Sequence, residues 1–309
     1  MRPMTDYPIP SIFAVSLNWN GFSLTVPCID SLKQSTVPFE KIIVLDQAST
    51  DGSGEKLRQL YVNDPQVDVI CNEKNYGFAA GTNIGIRKAL EMGAEFVFIV
   101  NNDTIVDKDC VQHLYKALSS SSLAGVAGPA IMYHSKPEKI WQAGGYFNKL
   151  KMGTSVPAKG KVYSEISHSI SSVGFLTGCA LLIPSQIFNS IGFFDEAYFL
   201  YSDDVDFCLR IKNAGFNLHF VPEAKVWHKI EDIALDRSTP LVLYHLARSS
   251  VIMLRKNFSG VERLYGIILR FTIYSIFRIW QILKAGRGFD SFAAWFKGLL
   301  HGLTFNIKN

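Results

Sequence analysis

The chain is short of charge, of paired cysteines and of repeats, and each shortage excludes something. Charged residues make up 19% of its 309 residues against 48% hydrophobic ones, a balance too apolar for a disordered chain. The net charge of +4 is too mild to indicate nucleic acid as a partner. Five cysteines (Cys28, Cys71, Cys110, Cys179 and Cys208) are scattered without a CxxC pair, so reduced core thiols of a cytosolic protein are expected, not a zinc site or a disulfide framework. The first ten residues, "MRPMTDYPIP", hold three prolines and no long apolar run, so no secretory signal is expected. No GxGxxG follows the first apolar run, which argues against a dinucleotide-binding oxidoreductase.

What is present is alternation. "IFAVSLN" (12–18), "KIIVLD" (41–46), "VDVICN" (67–72) and "EFVFIVNND" (95–103) read as buried strands. Helical stretches fall between them, at 24–34 and from Gly77 onward. Strand, helix, strand with short links predicts an α/β protein whose mostly parallel sheet is covered on both faces. Beyond 133 the pattern loosens into loops or short antiparallel strands. A buried strand then returns at 178–184, followed by a short helix with Ser185 as its cap. "NLHFVPEAKVWH" gives one or two more strands, ending at His228.

In such sheets ligands bind beyond the carboxyl ends of the strands, where Asp46 and Asp103 stand, the latter beside Asn101 and Asn102. Aspartate is also common in any turn after a strand. A second acidic group is odder: "FLYSDDVDFCLR" (199–210) crowds Asp203, Asp204 and Asp206 among aromatic and apolar residues. A helix N-terminus accounts for acids there, and Asp206 with Arg210 forms an i,i+4 pair.

Five stretches in order, "VLDQASTDGS", "NYGFAAGTNIGI", "FIVNNDTIV", "GFFDEAYFLYSDDVDFCLRIKNAGF" and "VWH", resemble the inverting family 2 glycosyltransferases with the GT-A fold, especially the rhamnosyltransferase-like branch. The resemblance covers roughly residues 10–230. It implies that Asp204 is the catalytic base, taking the proton of the acceptor hydroxyl. Asp203, Asp206 and Arg210 are then acceptor or support residues. It implies a nucleoside-diphosphate sugar donor held by Asp46, Asn75, Gly77, Asn83, Asn102 and Asp103. It also implies Mg²⁺ or Mn²⁺ on Asp103 and His228. Gly77 and Gly81 serve either backbone approach to the nucleotide or close helix–sheet packing, and both readings stay open. Two departures stand out: Gln47 where relatives commonly carry Asn, and Asn101–Asn102–Asp103 in place of a full Asp-x-Asp.

The expected organisation is a catalytic domain over 1–235 and a C-terminal helical region over 236–309. In the latter, "VERLYGIILRFTIYSIFRIWQILK" (261–284) reads as one helix about 35 Å long. Arg263, Arg270, Arg278 and Lys284 fall within an arc of roughly 120°, which predicts a basic stripe turned toward an anionic membrane surface. A second amphipathic segment carries Trp295 and Lys297. Docking on the catalytic domain or on a second subunit, as in a homo-oligomer, is the alternative. The function expected is transfer of a sugar, rhamnose foremost, to a glycan or polyprenyl-diphosphate-linked acceptor on the cytoplasmic face of the membrane. Transfer of another hexose or N-acetylhexosamine, or an inactive binding relative, are the alternatives.

Overall fold

The structure, a computed structural model, describes residues 10–229 and 238–307. The expected boundary at 235/236 lies outside the described residues. In chain order the first half reads β1 (Ile12–Asn18), α1 (Phe22–Lys33), β2 (Lys41–Asp46), α2 (Ser53–Leu60), β3 (Val67–Cys71), α3 (Gly77–Glu91), β4 (Phe96–Val100), β5 (Thr104–Val106), α4 (Cys110–Ser119) and β6 (Ala124–Tyr133). The second continues with β7 (Ile140–Gln142), β8 (Tyr146–Asn148), β9 (Gly153–Ser155), β10 (Ser171–Val173), β11 (Ala180–Pro184), α5 (Ser185–Ile191), α6 (Asp203–Asn213) and β12 (Asn217–His228). Four more helices follow: α7 (Pro240–Asn257), α8 (Gly260–Leu269), α9 (Ser275–Lys284) and α10 (Phe289–Thr304).

The main sheet has the order β10-β12-β6-β11-β4-β1-β2-β3. β3, β2, β1 and β4 run parallel, as the alternating pattern predicts. β11 enters antiparallel between β4 and β6. β1 shows why the sheet is covered twice: Ile12 and Ala14 face the layer of α1, α2 and α4, while Phe13 and Val15 face that of α3, α5 and α6. A strand buried on both faces has no polar side to expose, hence the consecutive apolar residues from Ile12 to Val15. Ser185 starts α5, but its hydroxyl bonds the Ala94 carbonyl instead of capping the helix. Cys28, Cys110, Cys179 and Cys208 are buried and Cys71 is exposed, all as free thiols.

The glycines of α3 sit in close packing. A Cβ on Gly81 would meet the Gln47 amide at 2.1 Å, and one on Gly85 would meet Val15 and Leu45. Gly77 has φ +78°, and a Cβ there would lie 2.4 Å from the Phe199 carbonyl. That carbonyl also accepts from Phe78 N–H at 2.8 Å. The start of α3 thus fixes the loop that leads into α6.

The C-terminal helices pack onto that same loop from the other side. In α7, Arg248 donates to the Ala197 carbonyl and Ser249 to the Leu200 carbonyl, each at 2.8 Å. Asn257 donates to Asp206 at 2.7 Å, and Lys256 pairs with Asp195.

The expected basic stripe is overturned here. α8 and α9 are joined through a π-helical turn at Arg270–Tyr274, and the two middle arginines, Arg270 and Arg278, point inward. Arg270 is only 5% exposed, and Arg278 is half-buried over Trp295. Only Arg263 and Lys284, near the two ends, remain exposed. The outer face carries Leu264, Ile268, Ile273, Ile276, Phe277, Trp280 and Leu283 instead. The helical projection groups residues by face but does not say which face is turned inward, and here the stems and rings around the arginines supplied the packing surface.

Gly77→Ala, which forces a Cβ against Phe199 in a left-handed conformation, is expected to destabilise the fold by about 1–3 kcal/mol. Denaturant unfolding measures it; an unchanged midpoint contradicts the contact.

Candidate active site

The carboxyl ends of β1, β2 and β4 open into one region. Asn18 and Asp46 are register partners at the ends of β1 and β2. Asp46 is buried, and its Oδ1 accepts from the Asn18 amide and the Ser49 hydroxyl, both at 2.6 Å. Its Oδ2 accepts from Ser49 N–H at 3.0 Å. The carboxylate therefore anchors the loop after β2. The network continues from Asn18, whose Oδ1 accepts from Thr25 Oγ1 at 2.7 Å, and Thr25 in turn accepts from Asn102 Nδ2 at 2.8 Å. Asp46 and Asn102, far apart in sequence, are two ends of one hydrogen-bonded chain. Its middle members Asn18, at the end of β1, and Thr25, inside α1, escape sequence reading because single polar residues carry no spacing signal.

A second chain reaches the same loop from the opposite side. β11 pairs antiparallel with β4, Ala180 opposite Val100, so Thr177–Cys179 runs beside Asn101–Asp103. Asn101 N–H donates to the Cys179 carbonyl at 2.9 Å. Gly178 N–H donates to Asp204 Oδ2 at 3.1 Å, and Val205 N–H to Asp204 Oδ1 at 2.8 Å. β12 brings His228 opposite Thr104 of β5, with His228 Nε2 3.0 Å from Asp103 Oδ1. Asp204, Asp103 and His228 are thus linked through the segment Thr177–Cys179. Thr177 and Cys179 are further residues that the sequence alone does not single out.

The acids around Asp204 have different environments. Tyr201 and Ser202 both hold positive φ, 67° and 66°, a costly pair of left-handed non-glycine residues. They turn the chain sharply into α6, whose first two residues are Asp203 and Asp204. Burial, reinforced by the neighbouring Asp204 charge, holds the Asp203 carboxyl well above the usual range. Asp204 is half-buried, and burial raises its pKa too, opposed by hydrogen bonds from Gly178, Val205 and Thr177. Asp206 plays a structural part: it binds Arg210 Nε at 2.8 Å, the Tyr198 hydroxyl at 3.1 Å and Asn257. Arg210 also donates to the carbonyls of Ile191 and Phe193.

The remaining expected donor residues divide. Asn75 accepts from Gly77 N–H at 2.8 Å and shapes the turn into α3. Asn83 departs from the expectation of a donor-facing amide. It is fully buried, donating to the Phe194 carbonyl at 2.8 Å and to Glu196, while accepting from Phe194 N–H. Gln47 is buried as well and accepts from Tyr76 N–H at 3.0 Å, tying two loops together.

Asp103 and His228 fit a divalent cation in part. Their facing O and N atoms are 3.0 Å apart, near the roughly 3 Å between neighbouring ligands of one octahedral ion with bonds of about 2.1 Å. Asp103 Oδ1 is buried without a well-aligned donor. Among the described residues no third His, Cys, Asp or Glu joins them, so further ligands would come from a bound diphosphate or water. Burial opposes charge on His228, but the Cys179 sulfur and the Asp103 carboxylate outweigh it and raise its pKa to about 10.

The arrangement is that of a GT-A fold, with acids gathered where the parallel strands end. The profile of glycosyl transferase family 2 matches residues 15–184, and the chain belongs to that family. Among curated relatives, the dTDP-rhamnosyl transferase RfbF of Shigella flexneri is 27% identical over 70% of this chain and 71% of its own length. The N-acetylglucosaminyl-diphospho-decaprenol L-rhamnosyltransferase of Mycobacterium tuberculosis is 27% identical over 74% of this chain and 79% of its own. The mannosyltransferase PcManGT of Pyrobaculum calidifontis, solved with GDP-Man and Mn²⁺, superposes on 99% of this chain and 80% of its own with a TM-score of 0.58 at 14% identity. GalNAc-T7, solved with UDP, GalNAc and Mn²⁺, covers 72% of this chain and 44% of its own, with a TM-score of 0.61 at 18% identity.

Asp203→Asn tests the electrostatics. Because the folded-state pKa lies above the unfolded one, the folded protein keeps its proton longer, and ionisation removes stability as pH rises between the two values. The variant is expected to melt on the order of 2 °C higher at pH 7 and no higher below about pH 3.9. A lower melting point at pH 7 contradicts the assignment.

Proposed function

We propose that the protein is an inverting glycosyltransferase that moves a sugar, rhamnose foremost, from a nucleoside diphosphate to a hydroxyl of a lipid-linked glycan acceptor in cell-surface polysaccharide assembly. The observation that carries this reading is the half-buried Asp204, hydrogen-bonded to Gly178 in the segment that also contacts Asn101 and flanks the Asp103–His228 pair. A carboxylate so placed reaches an acceptor hydroxyl on the far side of a sugar whose diphosphate lies at Asp103. Asp204 takes the hydroxyl proton while the acceptor oxygen attacks the anomeric carbon and the nucleoside diphosphate departs from the opposite face. Its raised pKa makes it a stronger base than a free aspartate. Asp203 supports it, and Asp206 with Arg210 holds the helix in place. Asp46, Asn75, Gly77 and Asn102 shape the loops that receive the nucleotide. Asp103 and His228 would hold a divalent cation, which supplies charge neutralisation for the leaving diphosphate.

The donor sugar is supported by the names of the two rhamnosyltransferase relatives, and the lipid-linked acceptor by that of the mycobacterial one. The catalytic part spans residues 1–235, and the helices after it turn an apolar face to the cytoplasmic leaflet. The stretch Gly260–Lys284 is long and apolar enough to cross a membrane. Its inward arginines favour a helix lying along the surface, outer face in the acyl boundary. Arg263, Lys284 and Lys297 are all exposed and suit anionic headgroups.

Asp204→Asn is expected to lower transfer at least 1,000-fold while nucleoside-diphosphate binding stays within about twofold. The wild-type rate should fall with acid at a pH above the ordinary aspartate value of about 3.9. Radiolabelled transfer assays read both, and robust turnover by the variant sinks the base assignment. Membrane contact has its own test. Ile276→Asp combined with Phe277→Asp should release the protein from phosphatidylglycerol vesicles in flotation, and unaltered flotation of the folded variant rejects the apolar face as the contact.

A further inference from the structure

Arg270 is an anomaly in an otherwise conventional core. Its side chain is 95% removed from water, yet among the described residues no carboxylate pairs with it. It donates to the Met152 carbonyl and lies 4.3 Å over the Tyr274 ring, while Nη1 is buried without any hydrogen-bond partner. Burying a guanidinium with a free donor is costly unless an anion completes it. The side chain lines a cleft of about 230 Å³ that Arg278 also lines. Thr154 and Ser250 contribute hydroxyl-bearing residues to its wall, and among the described residues no Asp or Glu does. Arg270 leaves the helix at the π-helical turn, whose extra residue turns it inward, with Ser275 Oγ donating back to the Arg270 carbonyl at 2.7 Å. Such turns often mark functional positions.

The cleft also has an address. Ser202 and Val205, the residues that bracket Asp203 and Asp204, line it. An anion bound there sits at the start of the helix carrying Asp204, and Asp46, Asn75, Asn102 and Asp103 do not line the cleft. The same helix that turns Arg270 and Arg278 inward presents Ile273, Ile276 and Trp280 outward. A ligand with a diphosphate joined to an apolar tail matches both surfaces at once.

We propose that the Arg270–Arg278 cleft binds the diphosphate of a polyprenyl-diphosphate-linked acceptor, placing its sugar before Asp204. Guanidinium forks suit phosphate oxygens through paired N–H donors. The proposal rests on the lipid-linked acceptor named above and assigns residues to it. The cleft is a second diphosphate site, separate from the donor's, and its ligand is recognised by charge at one end and by apolar length at the other.

The test titrates the full-length protein and its Arg270→Gln and Arg278→Gln variants with farnesyl diphosphate, inorganic pyrophosphate and dTDP, each by calorimetry. Farnesyl diphosphate is expected to bind the wild type at least tenfold more tightly than pyrophosphate, and each variant to lose at least tenfold in its affinity, with dTDP binding unchanged. Arg278 is half-buried, so its variant carries the result if Arg270→Gln does not fold. Unaltered farnesyl diphosphate binding by a folded variant overturns the proposal, as does displacement of farnesyl diphosphate by dTDP. Equal affinity for pyrophosphate, or competition by phosphatidylglycerol vesicles, overturns the lipid-diphosphate occupant in favour of a free phosphate or a headgroup. Arginine-dependent binding of farnesyl diphosphate by a protein that binds no nucleoside diphosphate upholds the cleft while rejecting the transferase reading.

Discussion

The antiparallel entry of β11 beside β4 is the constraint from which the site follows. Ala180 opposite Val100 forces Thr177–Cys179 alongside Asn101–Asp103, and the Asn101–Cys179 hydrogen bond closes the junction. From there Gly178 holds Asp204, while β12 carries His228 to Asp103. None of these residues is near another in sequence except within its own loop. The sheet brings them together, as open α/β sheets do where their strands end.

The junction is braced from two sides. α3 supplies glycines that admit Gln47 and the Phe199 loop at close range. α7 supplies Arg248, Ser249 and Asn257 to the loop and helix that carry the acids. The strained pair Tyr201–Ser202 persists because both braces hold it, the usual circumstance in which functional strain survives. The C-terminal helices are therefore part of what positions Asp204, and the cleft between them and α6 follows directly from this packing.

Much of the fold was legible in the sequence. The strands at 12–18 and 41–46 stand where their apolar runs do, because a strand buried on both faces needs apolar residues at consecutive positions. The acidic cluster was legible as a helix start, and Asp206 with Arg210 as its i,i+4 pair. Long-range partners were not. Asn83 looks like a free amide at a helix start until Phe194 closes over it. Asn18 and Thr25 carry no motif, yet they connect Asp46 to Asn102. The largest difference lies in the C-terminal helices. A basic stripe on an apolar helix reads as a face turned to anionic lipid, and here its two middle arginines, Arg270 and Arg278, turn inward while the apolar residues form the exterior. Periodicity separates two faces of a helix without ordering them.

If Asp204 faces the donor across a gap that admits one hydroxyl, the incoming oxygen must approach opposite the leaving diphosphate, and the configuration at the anomeric carbon must invert. The direct measurement is proton NMR of the sugar as it is first released or transferred from its nucleoside diphosphate by the full-length enzyme. The expected product is the anomer opposite to that of the donor. The same anomer as the donor, seen before mutarotation, would contradict it.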